Sequence, residues 1–250
     1  MSATLTVLGS SGSYPGPGRA CSSYLVTVEG YRLLLDCGNG ALTNLPCDPA
    51  DLDAVLLSHL HPDHCADVYG LHIALRHGPS APARVDVHAP AGAGERLGGL
   101  LDAEGREGFL EHLRFHEAAA GQRLALGPLS VTLFPAAHPL ETLASRLELH
   151  GRPLLSYTGD SGPCEALVAC GEGTGLLVGD ATWPESARPV PADLHCTGGD
   201  LGRVAARAGA RRLLVTHVQP AYDPAEVAAD AAAAYDGQIL VAHDRMEIAL

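Results

Sequence analysis

His59-Leu60-His61-Pro62-Asp63-His64 places three imidazoles and a carboxylate in six residues, directly after the hydrophobic run Ala54 to Leu57. Imidazole nitrogen and carboxylate oxygen are ligands that zinc favours, and a catalytic zinc keeps one position open for water. His59 and His61, two apart on an extended segment, can point to one side and share an ion, whereas Asp63 and His64 at the turn point toward a second. The stretch therefore reads as half of a two-metal hydrolase centre. Its other ligands must come from elsewhere, and the candidates are His138 in Ala136-Ala137-His138-Pro139, Asp160 in Thr158-Gly159-Asp160 and His217 in Val215-Thr216-His217.

These residues share a position in the pattern. Asp36 follows Leu33-Leu34-Leu35, His59 follows Val55-Leu56-Leu57, Asp160 follows Leu154-Leu155-Ser156-Tyr157 and His217 follows Leu213-Leu214-Val215. Strand ends are rigid places from which to aim ligands. Short hydrophobic runs predict strands at Leu5 to Leu8, Tyr24 to Val28, Arg32 to Leu35, Ala54 to Leu57 and Val85 to His88. A second series is expected at Ser130 to Phe134, Leu143 to Leu149, Leu154 to Tyr157, Leu176 to Val178, Leu213 to Thr216 and Ile239 to Val241. Helical patterns fall near Leu201 to Ala208 and Pro224 to Ala234. Two sheet-rich halves with interleaved helices make an α/β sandwich. With 250 residues, 46% of them hydrophobic, and no evident boundary or repeat, residues 1–250 are expected to form a single domain.

The net charge of −13 repels polyanions, so a long nucleic-acid groove is disfavoured. All 16 basic residues are arginine, which excludes Schiff-base catalysis, pyridoxal-phosphate attachment and a P-loop lysine. Seven scattered cysteines, with no C-x-x-C pair, indicate neither a disulfide framework nor a zinc ribbon and suggest a reduced, cytoplasmic protein. No targeting segment or membrane-length apolar run is evident. The loop Gly9 to Gly18 lacks the order of a dinucleotide fingerprint and is a candidate border of the active site.

Taken in order, H-x-H-x-D-H, His138, Asp160 and His217 resemble the metallo-β-lactamase superfamily across nearly the whole chain. The resemblance implies a four-layer αβ/βα sandwich with two divalent metals at one sheet edge. It implies that His59, His61 and His138 bind the first metal, that Asp63, His64 and His217 bind the second, and that Asp160 bridges them. Zinc is the expected ion, and nitrogen and oxygen ligands would also accept manganese, iron or cobalt. Two such ions about 3.5–4 Å apart can hold a nucleophilic hydroxide at neutral pH. With the hydroxide, Asp63 and Asp160 counted against two dications, the centre keeps about one positive charge, enough to draw a small anion despite the acidic surface. His61 stands where the diiron oxygen reductases of this fold carry glutamate, and Asp160 is a residue true β-lactamases generally lack. Both comparisons turn the reading away from those relatives.

His195-Cys196-Thr197 before a helical pattern is similar to the phosphodiesterase branch typified by ribonuclease Z. There the histidine helps bind the scissile phosphate and assists the leaving oxygen, a role that contributes about 10²–10⁴-fold in rate. Asp180, at the end of Leu176-Leu177-Val178-Gly179, is placed to orient it. Asp63, His195 and Asp180 form the expected catalytic set. Cys65 reads as a small buried packing residue, and His243 and Asp244 are candidate supporting or substrate contacts. Arg19, Arg76 and Arg146 are candidate phosphate grips, while His72, His77, His88, His112, His116 and His150 have no matching motif.

Three enzymatic readings compete: a small-molecule phosphodiesterase acting on cyclic nucleotides such as cAMP, a tRNA 3′-end endonuclease, and a lactonase or thioester hydrolase. A metal-binding protein without turnover is the non-enzymatic alternative. The tRNA-cutting relatives commonly insert a long arm between the third and fourth metal motifs, but here only 21 residues separate His138 from Asp160. The expected partner is a small anionic phosphodiester. Relatives commonly form homodimers, although no interface residue stands out in this chain.

Overall fold

The computed structural model describes residues 3–250; Met1 and Ser2, the start of the expected 1–250 unit, lie outside the described residues. In chain order the first half comprises β1 (Ala3–Gly9), β2 (Ser23–Val28), β3 (Tyr31–Leu35), β4 (Ala54–Leu56), α1 (Pro62–Cys65), α2 (Val68–His77), β5 (Val85–Ala89), α3 (Ala93–Gly98), α4 (Ala103–His112) and β6 (Leu113–Glu117). The second comprises β7 (Arg123–Leu126), β8 (Leu129–Pro135), β9 (Leu143–Leu149), β10 (Arg152–Tyr157), α5 (Glu165–Gly171), β11 (Leu176–Asp180), α6 (Gly198–Ala208), β12 (Arg212–Thr216), α7 (Pro224–Ala232), β13 (Gln238–Val241) and β14 (Glu247–Ala249).

The strands make two seven-stranded sheets, ordered β14-β1-β2-β3-β4-β5-β6 and β13-β12-β11-β10-β9-β8-β7. Side chains alternate across a strand, and that alternation builds the layers. Leu33 and Leu35 enter a core shared with Val131, Leu147, Leu155 and Leu214 of the other sheet, while Leu34 turns outward to meet Val68, Leu71 and Leu75 of α2. In the second sheet Leu176 and Val178 face the shared core, and Leu177 meets Leu201, Val204 and Ala205 of α6. Helices thus cover the outer face of each sheet, giving the αβ/βα sandwich.

In each sheet the strands that carry the motifs run parallel: β3 to β6 in one and β10 to β13 in the other. Parallel strands bring their carboxyl ends to one edge, the usual place for a ligand site in such sheets. α6 then leads the chain back from that edge. Leu201, Val204, Ala205 and Ala208 are buried at i, i+3, i+4 and i+7, and Thr197 and Asp200 close a capping box at its start. Such a cap stabilises a helix by about 1 kcal/mol.

Several elements escape the sequence pattern. β6 is an edge strand with exposed Arg114, His116 and Glu117, and β14 has only three residues, with Ile248 alone buried. Neither is long enough to impose a periodicity. α2 is amphipathic, but its buried stripe includes His72, and α4 buries only Phe109 and His112.

Candidate metal centre

The HxHxDH segment takes its shape from α1. His61 remains extended, and Pro62 opens a one-turn helix at the first helical position, where its missing N–H is harmless. This turn separates the directions of His61 and Asp63. His59, His61, His138 and Asp160 each offer one ligand atom within 4.8 Å of the others, as do Asp63, His64, Asp160 and His217. All seven expected ligands are thereby gathered, and Asp160 belongs to both groups.

In the first group, His61 Nδ1 lies 3.0 Å from His59 Nε2 and 3.2 Å from His138 Nε2. In the second, His64 Nε2 lies 3.2 Å from His217 Nε2, which is 3.3 Å from Asp63 Oδ2. Asp160 Oδ1 is 3.0 Å from His64 Nε2 and 3.2 Å from His217 Nε2, yet it is buried and hydrogen-bonded to neither. Nitrogens bound tetrahedrally at about 2.0–2.1 Å from zinc lie about 3.3 Å apart, close to these spacings. Converging lone pairs and an orphaned carboxylate oxygen are what a pair of divalent cations would satisfy, so the residues fit such ions.

The opposite ring nitrogens are already committed. His64 Nδ1 meets Asp36 Oδ2 at 2.7 Å, His138 Nδ1 donates to the Leu194 carbonyl at 2.9 Å, and His59 Nδ1 meets Ser58 Oγ at 3.0 Å. Partners of this kind fix the tautomer and hold the ring. Asp36 is a hub missed by sequence reasoning beyond its place at a strand end. It accepts from Ser58 N, Ser58 Oγ and the Tyr157 hydroxyl as well as facing His64. Asp36 and His217 both adopt positive φ, 57° and 59°, so backbone strain sits at the site.

The two groups differ electrically. Burial favours neutral imidazole at His59 and His61 and, with the neighbouring histidines, moves both below the usual range. At His64 burial acts the same way but is outweighed by Asp160 and Asp36, and its pKa rises well above the ordinary value. At His217, Asp160 and Asp180 likewise overcome burial and raise it to about 10. Burial opposes charge on Asp63 and Asp160 too, but neighbouring histidines hold both low.

Asp180 joins the remaining parts. Its Oδ2 is 2.8 Å from His195 Nδ1, and its Oδ1 accepts from Thr182 Oγ1, which is 2.9 Å from His217 Nδ1. Burial opposes its charge, but His195 and His217 lower its pKa. Asp160, Asp180, His195 and His217 form a third group close enough to embrace an ion. The His195 nitrogen facing that group is, however, spent on Asp180, which leaves Nε2 as its free nitrogen.

Residues 31–218 match the family described as Beta-lactamase superfamily domain. The chain belongs to the beta-lactamase superfamily. It is 36% identical over 245 residues to an uncharacterized protein of Mycobacterium tuberculosis, covering 96% of this chain and 89% of that one. It is 31% identical over 225 residues, 86% of each chain, to the probable metallo-hydrolase YhfI of Bacillus subtilis. The YhfI crystal structure superposes with a TM-score of 0.88 at 26% identity over the full length of both chains. A ribonuclease Z of Halorubrum lacusprofundi is 28% identical over 299 residues, covering 98% of this chain and 96% of its own.

In this superfamily member the glycine-rich loop borders the centre: Ser13 N donates to Asp63 Oδ2 at 2.9 Å. Gly12 packs so closely that a Cβ there would lie 2.1 Å from the His217 carbonyl oxygen. Other candidates lie elsewhere. Asp244 ties Ser10, Ala20 and Asn44 together, and exposed His243 contacts the Asp244 carbonyl, so this pair braces the loop from behind. Arg19 donates to the Ser10 and Val218 carbonyls, Arg146 to those of Ala169 and Glu172, and Arg76 faces Glu104. None of the three is aimed at the ligand groups, because backbone carbonyls or a surface carboxylate already engage them. Cys65 is buried with its thiol on the His61 carbonyl, and all seven cysteines are free. Among the described residues, no helix is long and apolar enough to cross a membrane.

Proposed function

We propose that this chain hydrolyses small phosphodiesters, foremost cyclic nucleotides such as cAMP. His59, His61 and His138 would hold one divalent ion, and Asp63, His64 and His217 a second. Asp160, common to both groups, would serve both ions, and zinc is the expected metal at both positions. Such ions, when bound, lower the pKa of water from about 15.7 toward 7 and polarise phosphoryl oxygens. The observation that carries the substrate class is the His195–Asp180 pair, 2.8 Å apart and beside both ligand groups. Donation of His195 Nδ1–H to Asp180 leaves Nε2 to serve the ester. Water would add to phosphorus as the P–O3′ bond breaks; doubly protonated His195 would give its Nε2 proton to the departing O3′ and regain the proton released by the attacking water, leaving a nucleoside 5′-monophosphate. A neutral lactone or thioester needs no such clamp.

The match to a protein named ribonuclease Z favours a second reading, cleavage at tRNA 3′ ends. Size and charge weigh against it. The alignment runs to 299 positions against a chain of 250, so the Halorubrum protein carries about fifty residues without counterpart here. The stretch from His138 to Asp160 is filled by β9 and β10 alone, with no room for a projecting arm. A net charge of −13 further opposes grip on many RNA phosphates. Metal-loaded protein should hydrolyse cAMP and bis(p-nitrophenyl) phosphate and leave precursor tRNA intact. Turnover of a lactone or thioester with none of any phosphodiester would overturn the assignment.

A further inference from the structure

We infer that Trp183 is the platform on which the substrate's base stacks, making this a site for nucleoside esters rather than for phosphodiesters at large. The inference rests on the phosphodiesterase reading and narrows it. The chain contains 11 aromatic residues, Trp183 being its single tryptophan. Nine pack into one of the three apolar cores; the exceptions are Tyr14 and Trp183. Both border the metal groups. Tyr14 follows Ser13, whose N–H is on Asp63, and the residue is 47% exposed. The Trp183 ring centre is 5.1 Å from that of His195 with the planes at 80°.

Trp183 is only partly buried, although Ala181, Thr182 and Pro184 around it are buried. A tryptophan ordinarily contributes a large buried apolar area to a core or an interface, and this one joins no core. Its backbone is held firmly: it bridges to Thr197, and its carbonyl accepts from Gly198 N at 3.0 Å. Glu185, two residues on, is anchored by Asp230 and by the Arg188 guanidinium. The ring is therefore a partly open aromatic surface on a fixed support, against the histidine assigned to the leaving group.

Reaction geometry selects the same side. When P–O3′ breaks, the departing oxygen belongs to the ribose that carries the base, so the base lies on the leaving-group side of phosphorus. His195 marks that side, and Trp183 is its aromatic neighbour. Base stacking on an aromatic side chain is sequence-tolerant, and its typical strength corresponds to roughly ten-fold or more in affinity. The platform therefore accepts purine and pyrimidine esters without reading their edges.

The single tryptophan makes the test direct. In metal-loaded protein, AMP should quench Trp183 fluorescence saturably, and ribose 5-phosphate at equal occupancy should not. Trp183→Leu should raise KM for cAMP about ten-fold with kcat little changed, Trp183→Phe should recover most of the loss, and the abasic ribose 3′,5′-cyclic phosphate should be indifferent to either change. Equal fluorescence responses to AMP and ribose 5-phosphate would overturn the inference. So would an equal fall in kcat on base-bearing and abasic esters, which would make Trp183 a mere prop for His195. Absence of all phosphodiester turnover would instead sink the parent reading, and the AMP titration would still report on the platform.

Discussion

The two ligand groups use similar residues in opposite electrical settings. The His59, His61 and His138 group is half open, and burial pushes His59 and His61 toward neutrality. The Asp63, His64 and His217 group is buried and carboxylate-rich, so its histidines are pushed toward the cation. A neutral imidazole receives a metal without releasing a proton, whereas a protonated one must lose it first. His59 and His61 would thus receive metal at neutral pH without releasing a proton, whereas His64 and His217 would exchange protons for it.

Asp160 is the residue the two groups share, so Asp160→Ala should have the largest effect. Loss of both ions by elemental analysis and a fall in activity of more than about 10⁴-fold are expected. Retention of two ions would mean the groups do not share a bridge. His195→Ala should keep both ions and lower kcat by about 10²–10⁴-fold, with Asp180→Asn intermediate. A full rate in the His195 variant would remove it from the chemistry.

Asp36→Asn acts on the second group directly, through His64, and reaches the first only by way of Ser58 and His59. Metal affinity at the second group should weaken by about 10–100-fold and that of the first group by less, as read by competition with a chelator. Equal weakening at both would erase the distinction between them. The smallest effect is on the pH dependence of the metal-free protein. Because His64 and His217 titrate above their unfolded value near 6.5, their stabilisation is complete below that pH and is lost as pH rises through their folded values, about 10 for His217. The depressed Asp63, Asp160 and Asp180 contribute above about 3.8 and lose that contribution as pH falls. Metal-free Tm should therefore peak between about 4 and 6.5 and decline by a few degrees into the alkaline range, so the gain in Tm on adding metal should widen with pH. Parallel melting curves with and without metal would contradict the proton-for-metal exchange.

Much of this arrangement is legible in the chain itself. The order HxHxDH, His138, Asp160, His217 names a ligand set, and hydrophobic runs before His59, Asp160 and His217 place three of these residues, with Asp36 beside them, at strand ends. Strand and ligand patterns survive in sequence because alternation and donor type are local properties. The short edge strands β6 and β14 and the weakly amphipathic α4 are not local in this sense; they form because a neighbouring sheet or core accepts them.

Pairing across the fold is the part that composition and spacing could not supply. The sequence by itself determined which side chains could hold a cation and that they sit at the ends of strands, since residue chemistry and period are written locally. Only the tertiary structure decided that Asp36 braces His64, that Asp180 joins His195 to His217, that Asp244 and Arg19 serve the loop behind the centre, and that Trp183 stands in no core. Each of those outcomes depends on residues far apart in the chain meeting at one buried edge, where low dielectric makes a neighbour's charge outweigh a residue's intrinsic preference.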